Sequence, residues 1–168
     1  MSTQDLRTAL QTTRYAQLRT YRRNGDPIDT PIWFHIDDDT LVFRTKVGPK
    51  TRRIAADPRV EVWPCDYRGR FPADPLTVTG QASILSGEAA EAANRGLHRR
   101  YGWQYNLVPL IKVPGVTSVD SGLPLRVKAR RVRTRTVWPD SAIVEVKLDF
   151  AAAEAAALPL ARAVEVDE

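Results

Sequence analysis

The sequence predicts a mostly β protein, a small antiparallel barrel of about seven strands with peripheral helices. Three observations predict it. Short runs rich in β-formers alternate in polarity with a period of two. Turn signals separate these runs, and Asn24-Gly25 between two extended stretches is the sharpest hairpin signal. Helical spacing is confined to a few stretches between or before the runs.

The elements follow in chain order. Residues 4–11, QDLRTALQ, place Leu6 and Leu10 four apart, a short amphipathic helix that Ser2 or Thr3 can cap. In YAQLRTY (15–21), Tyr15, Gln17, Arg19 and Tyr21 fall on one side and Ala16, Leu18 and Thr20 on the other. After the Asn-Gly turn comes PIDTPIWFHI (27–36), whose Pro31 marks an edge, a bulge or a backbone that faces something other than a strand. DDDT (37–40) turns the chain into a third strand, LVFRT (41–45).

PKTRRIAA (49–56) reads as a helix, with Pro49 at its first position and Asp57-Pro58 as its stop. VEVWPCD (60–66) and LTVTGQASIL (76–85) are the fourth and fifth strands, and Gly80 marks a bulge or a close approach. Ser86 can cap a helix over 88–102, with Ala89, Ala93, Gly96 and Leu97 on one stripe. Residues 103–124 are Pro- and Gly-rich and read as loop. LRVKARRVRTRTV (125–137) reads as a strand, its basic phase slipping at Arg130-Arg131 as a β-bulge would cause. AIVEVKLDF (142–150) alternates, with Val144, Val146, Leu148 and Phe150 inward. The Ala-rich tail, 151–168, is a short helix and a frayed end.

A chain of 168 residues fits one domain by the prior of roughly 100–200 residues each, with its core over about 12–150. At 43% hydrophobic residues it can bury a core. The net charge of +5 and pI near 9.7 favour an anionic partner, without choosing among nucleic acid, an acidic membrane surface and a phosphorylated small molecule. Cys65 is the one cysteine and His35 and His98 the two histidines, so neither an internal disulfide nor a Cys/His metal site is expected. The first residues lack a signal-peptide core, and no run approaches the ~18 apolar residues of a span. The expectation is a cytoplasmic protein without a membrane partner.

The stretch RTKVGPKTRRI (44–54) concentrates Arg44, Lys46, Lys50, Arg52 and Arg53 with no acid among them. A helix beginning at Pro49 would offer unpaired N–H groups and partial positive charge, with Gly48 allowing close approach and Arg44 and Thr45 arriving on the preceding strand. Such a convergence holds a phosphate. A solvated basic face is the alternative. In TPIWF (30–34), Pro31 loosens the ladder beside Thr30 and leaves backbone groups for a planar heterocycle, while Trp33 either walls that site or packs elsewhere.

Arg131, Arg133 and Arg135 would share one strand face and pair with Glu145 and Asp149 across a hairpin. With no aromatics interleaved, this stripe is read as structural, and no nucleic-acid partner is expected. Cys65 is expected in or near the core, His35 faces an acidic turn, and Arg99 and Arg100 disfavour a charged His98. No acid–base or nucleophile set emerges, so a cofactor would carry any chemistry.

YAQLRTYRRNGDPIDTPIWF, LVFRT…GPKTRRIAADPRVEVWPCDYRGR, VTGQASIL and RRYGWQ together resemble the flavin/deazaflavin oxidoreductases of the pyridoxamine-phosphate-oxidase class, and most of all the branch using the deazaflavin coenzyme F420. The resemblance covers residues 15 to 104 in order. It implies a six- or seven-stranded FMN-binding split barrel and a homodimer with cofactor at the interface. The implied activity is hydride transfer between reduced F420 and a small molecule, the alternatives being an FMN-dependent oxidase or reductase of the same fold and a non-catalytic F420- or flavin-binding protein. By the same resemblance, Thr30, Pro31 and Trp33 lie along the ring system, and Arg44 and Thr45 near the phosphate. Lys50, Arg52 and Arg53 bind phosphate or the acidic tail of F420, and Trp103 sits near the partner chain's pocket. Gly48-Pro49 replaces the Ser-Gly frequent in that family, which removes one hydroxyl donor.

Overall fold

A computed structural model describes residues 2–73, 75–112 and 120–157. Six antiparallel strands close into a barrel. They are β1 (Tyr15–Tyr21), β2 (Pro27–Asp37), β3 (Thr40–Lys46), β4 (Arg59–Cys65), β5 (Val78–Leu85) and β6 (Ser141–Leu148). Around the barrel they run β1-β2-β3-β6-β5-β4, and β4 returns to pair with β1.

The period-two pattern decides which side chains go in. Ala16, Leu18, Ile32, Phe34, Leu41, Phe43, Val60, Val62, Val144 and Val146 fill the interior. Helices cover this core: α1 (Thr3–Thr12) contributes Leu6 and Leu10, α2 (Pro49–Ala56) contributes Ile54, and α6 (Phe150–Ala157) contributes Phe150 and Ala153. Helix α1 begins in a capping box, where the Asp5 N–H donates to Ser2 Oγ at 3.2 Å and the Ser2 N–H to Asp5 Oδ2 at 2.7 Å.

The two hairpins form where the turn residues place them. Gly25 adopts φ 87° between β1 and β2, and Asp38 adopts φ 50° between β2 and β3. Gly80 is the close approach its position suggested. A Cβ there would meet Lys147 O at 2.7 Å and Val146 Cγ1 at 2.8 Å.

A second apolar cluster lies outside the barrel, under α3 (Gly87–Tyr101) and α4 (Gln104–Leu107). Leu97, Tyr101 and Tyr105 pack there on Val42 and Ile143. The buried stripe of α3 is Ala90, Asn94, Leu97 and Tyr101, with Gly96 beside it, while Ala89 is exposed. This corrects the expected stripe by one position at its start. After α4 comes a 3₁₀ turn, Val108–Leu110.

The largest correction is at 125–137. Leu125–Arg133 is a helix, α5, so the barrel has six strands and the expected bulge at Arg130-Arg131 does not exist. Leu, Arg, Lys and Ala are all strong helix formers, and Pro124 immediately precedes the helix. Basic residues at 126, 130 and 133 also fit a 3.6 period, which the alternation at 126, 128 and 130 concealed. Arg131 therefore meets Asp120 and Asp140 rather than Glu145 or Asp149. Residues 113–119 of the expected loop and 158–168 of the tail lie outside the described residues.

Candidate functional site

The β2–β3 ladder is short. It joins Phe34–Asp37 to Thr40–Phe43 and goes no further. Upstream of it, Pro27–Trp33 pairs with β1 alone among the described residues. Pro31 lies in this half-paired stretch, as its missing N–H requires. Downstream, Arg44–Lys46 pairs with β6. The two strands thus part at the pair Phe34↔Phe43.

Helix α2 packs against β5, β1 and β3. The Lys50 ammonium lies 5.7 Å from the centroid of the Phe43 ring, which is directly across the ladder from Phe34. Arg53 Nε donates to Thr20 Oγ1 at 2.9 Å. Thr20 is fully buried and shares the inward face with Leu18, whose cross-strand partner is Thr30. The Thr30 hydroxyl is buried and has no hydrogen-bond partner among the described residues. Thr45 follows Phe43 by two on β3 and so points to the same face. Arg53 is thus tied to β1 through Thr20, and Lys50 lies over the Phe43 ring of β3, the strand that also carries Thr45.

The electrostatics there are unusual. Neither Lys50 nor Arg53 forms an ion pair among the described residues. Burial pushes the Lys50 ammonium down to about 8, and the Arg53 charge adds to the shift. Burial and the Arg22 charge lower Arg53 as well. The Lys50 and Thr51 amides at the start of α2 find no acceptor among the described residues. Thr51 Oγ1 accepts from the Gly48 N–H at 3.0 Å and donates to Gly48 O at 2.9 Å, closing the turn at the helix start. A Cβ on Gly48 would meet nothing within 4 Å, so the space over the helix start is open.

The other expected residues lie elsewhere. Arg44 points to the outer face, where its Nη2 donates to Tyr105 O at 2.6 Å and its Nη1 to Asn106 Oδ1 at 3.0 Å. Its guanidinium stacks between Tyr105 at 3.8 Å and Trp138 at 4.2 Å. Lys46 pairs with Asp120 at 2.8 Å. The basic stretch is thus divided: Arg44 and Lys46 are tied to Tyr105, Asn106 and Asp120, Arg53 to Thr20, and Lys50 and Arg52 have no side-chain hydrogen bond or ion pair among the described residues. Arg52 is exposed. Trp33 is half-buried on the outer face, 4.9 Å from Tyr101 and 5.6 Å from Tyr15 between ring centroids. Pro31 is exposed on that same face, and Trp103 is 70% exposed at the start of α4.

The sequence reading missed Thr20 and Thr51. For Thr20 the signal was a hydroxyl at an inward position of an otherwise apolar alternation. Among the remaining titratable groups, Cys65 is buried at the end of β4 and its thiol is pushed up to about 12 by burial, with Asp66 adding to it. Burial, then Arg100, lowers His35, while Asp37 opposes them. His98 is lowered by burial and then by Arg44 and Arg135, not by the helix neighbours expected to act on it.

The sequence model of the family described as pyridoxamine 5'-phosphate oxidase matches residues 2–136. A search of curated proteins found no match. Among solved structures, the chain is similar to an F420 reductase at 22% identity, covering 84% of this chain and 91% of that one, with TM-score 0.50. It is similar to a pyridoxamine 5'-phosphate oxidase-related, FMN-binding protein of Nostoc punctiforme at 19% identity, covering 87% and 74%, with TM-score 0.51. It is also similar to HutZ, the heme storage protein of Vibrio cholerae, at 13% identity, covering 89% and 92%, with TM-score 0.56. At such identities the likeness shows a shared fold.

Proposed function

Because the chain belongs to the pyridoxamine 5'-phosphate oxidase family, we propose that the opening beside α2 binds an anionic hydride-carrying cofactor, coenzyme F420, and that the protein reduces a small-molecule acceptor. The observation that supports this is the half-buried Lys50, whose ammonium has no carboxylate partner among the described residues. A desolvated cation is costly unless paired, and an anion of the cofactor supplies the pair. Lys50, Arg53 and the amides of Lys50 and Thr51 would hold that anion. Thr30 and Thr45 would take polar groups of the attached chain, and the open edge at Pro31 would lie beside the ring. Arg52 would meet the more distant acidic tail from the surface.

When bound, F420 supplies the two-electron hydride chemistry, and the protein's part is placement and exclusion of water. The ring–wall role for Trp33 and the phosphate role for Arg44 shift accordingly. Trp33 would border the site from the outer face, and Arg44 would position the segment 104–107 through Tyr105 and Asn106. A homodimer would bring the exposed Trp103 of one chain toward the cofactor of the other.

FMN is the second reading, favoured by the likeness to an FMN-binding protein. A paired fluorescence titration of ligand-free protein with F420 and FMN separates the two. Tight F420 binding that weakens about tenfold or more in Lys50→Met is the expected result. FMN binding at higher affinity overturns the F420 assignment, and an unaltered Lys50→Met variant overturns the anion site.

A further inference from the structure

Helix α5 is turned inside out for a globular protein. Its side facing the body is held by charge: Arg131 meets Asp140 at 2.8 Å and Asp120 at 3.2 Å, and Lys128 Nζ donates to Ser121 O at 2.5 Å. None of its residues is buried. The solvent side carries two parallel stripes. Leu125, Ala129 and Val132 recur at i, i+4 and i+7, all exposed, Leu125 to 84%. Arg126, Arg130 and Arg133 lie one residue further on in each case, also exposed, and none forms an ion pair or side-chain hydrogen bond among the described residues.

We propose that α5 docks the protein on an anionic lipid surface. Both stripes are used there: the arginines meet lipid phosphates, and Leu125 and Val132 enter the boundary between headgroups and acyl chains. The helix is convex and about 13 Å long, which suits a flat interface and needs no groove on the partner. Ion pairs to Asp120 and Asp140 anchor it from behind. A nucleic acid would use the arginines and leave the apolar stripe in water. A second copy docked symmetrically on this face would set the same three arginines against one another. No helix among the described residues is long and apolar enough to cross a membrane, so the contact lies in the interface plane. The proposal departs from the expectation of no membrane partner. The six residues lie outside the group around α2, so the proposal stands independently of the cofactor reading.

The test is sedimentation of the full chain with phosphatidylcholine vesicles, with and without phosphatidylglycerol, over a salt series. The expected result is binding to phosphatidylglycerol vesicles alone, weakening with salt. The Arg126→Gln/Arg130→Gln/Arg133→Gln variant should lose on the order of a hundredfold in partitioning. The Leu125→Ser/Val132→Ser variant should lose about tenfold. Circular dichroism confirms that each variant is folded; if the triple variant is not, the salt series and the apolar variant decide. No binding to phosphatidylglycerol vesicles overturns the proposal, and so does binding that either folded variant leaves intact. Full competition by a short DNA duplex, with Leu125→Ser/Val132→Ser unaffected, overturns it in favour of a polyanion site.

Discussion

Lys50 sits where its charge is penalised, and this gives the site a pH signature. Its ammonium is pushed down to about 8 in the ligand-free protein. Between that value and its ordinary one the unfolded chain holds the extra proton, so ligand-free stability should rise with pH over that window. Anion binding works in the opposite sense, because it favours the charged form. Affinity for F420, or for inorganic phosphate as a probe, should therefore be greatest below pH 8 and fall above it. Binding isotherms at several pH values check this, and Lys50→Met should flatten the profile. The sequence showed five cations but not their division. Arg44 and Lys46 are neighbours of Lys50 in sequence, yet their partners Tyr105, Asn106 and Asp120 come from distant segments. Nothing local in RTKVGPKTRRI distinguishes a committed arginine from a free one.

At the scale of the element, β5 and β6 lie so close at Gly80 that no side chain fits. Gly80→Ala should cost about 1–3 kcal/mol, because the Cβ meets the Lys147 carbonyl and two side chains that the ladder holds in place. Thermal denaturation reads this directly. Tyr101→Phe is a second case. The Tyr101 hydroxyl accepts from the Phe34 N–H at 2.9 Å and faces the carbonyls of Phe34 and Arg14, at the point where the β1–β2 ladder ends. Losing it leaves buried backbone groups unpaired, at about 1–3 kcal/mol. Strands whose one face is buried were legible because alternation is strict in them. Helix α5 was not, because its basic residues also alternate at 126, 128 and 130, a strand-like period that masks the helical spacing of Leu125, Ala129 and Val132.

For the whole molecule, the barrel and its two apolar clusters follow from pattern and turn chemistry, whereas the assembly does not. Trp103 is exposed to 70% on a chain that buries its other large aromatics more deeply. If a second chain covers it, the protein should sediment as a dimer, and Trp103→Ala should shift it toward monomer and weaken cofactor binding together. Sedimentation velocity of both forms checks the prediction. A monomeric parent chain would remove the partner's role at the site.

The place of β6 in the barrel also governs when the chain can fold. It is the last strand among the described residues, yet it lies between β3 and β5, and Lys147 Nζ reaches Thr40 Oγ1 across 107 residues of sequence. Until Ser141–Leu148 has left the ribosome, β3 and β5 keep open edges and Leu41, Phe43 and Val78 lack the covering of Val144 and Val146. Such long-range closure is slow and leaves adhesive strand edges waiting. A nascent chain stalled before residue 141 should therefore be protease-sensitive and dependent on chaperones, and resistance should appear abruptly once the final strand is released.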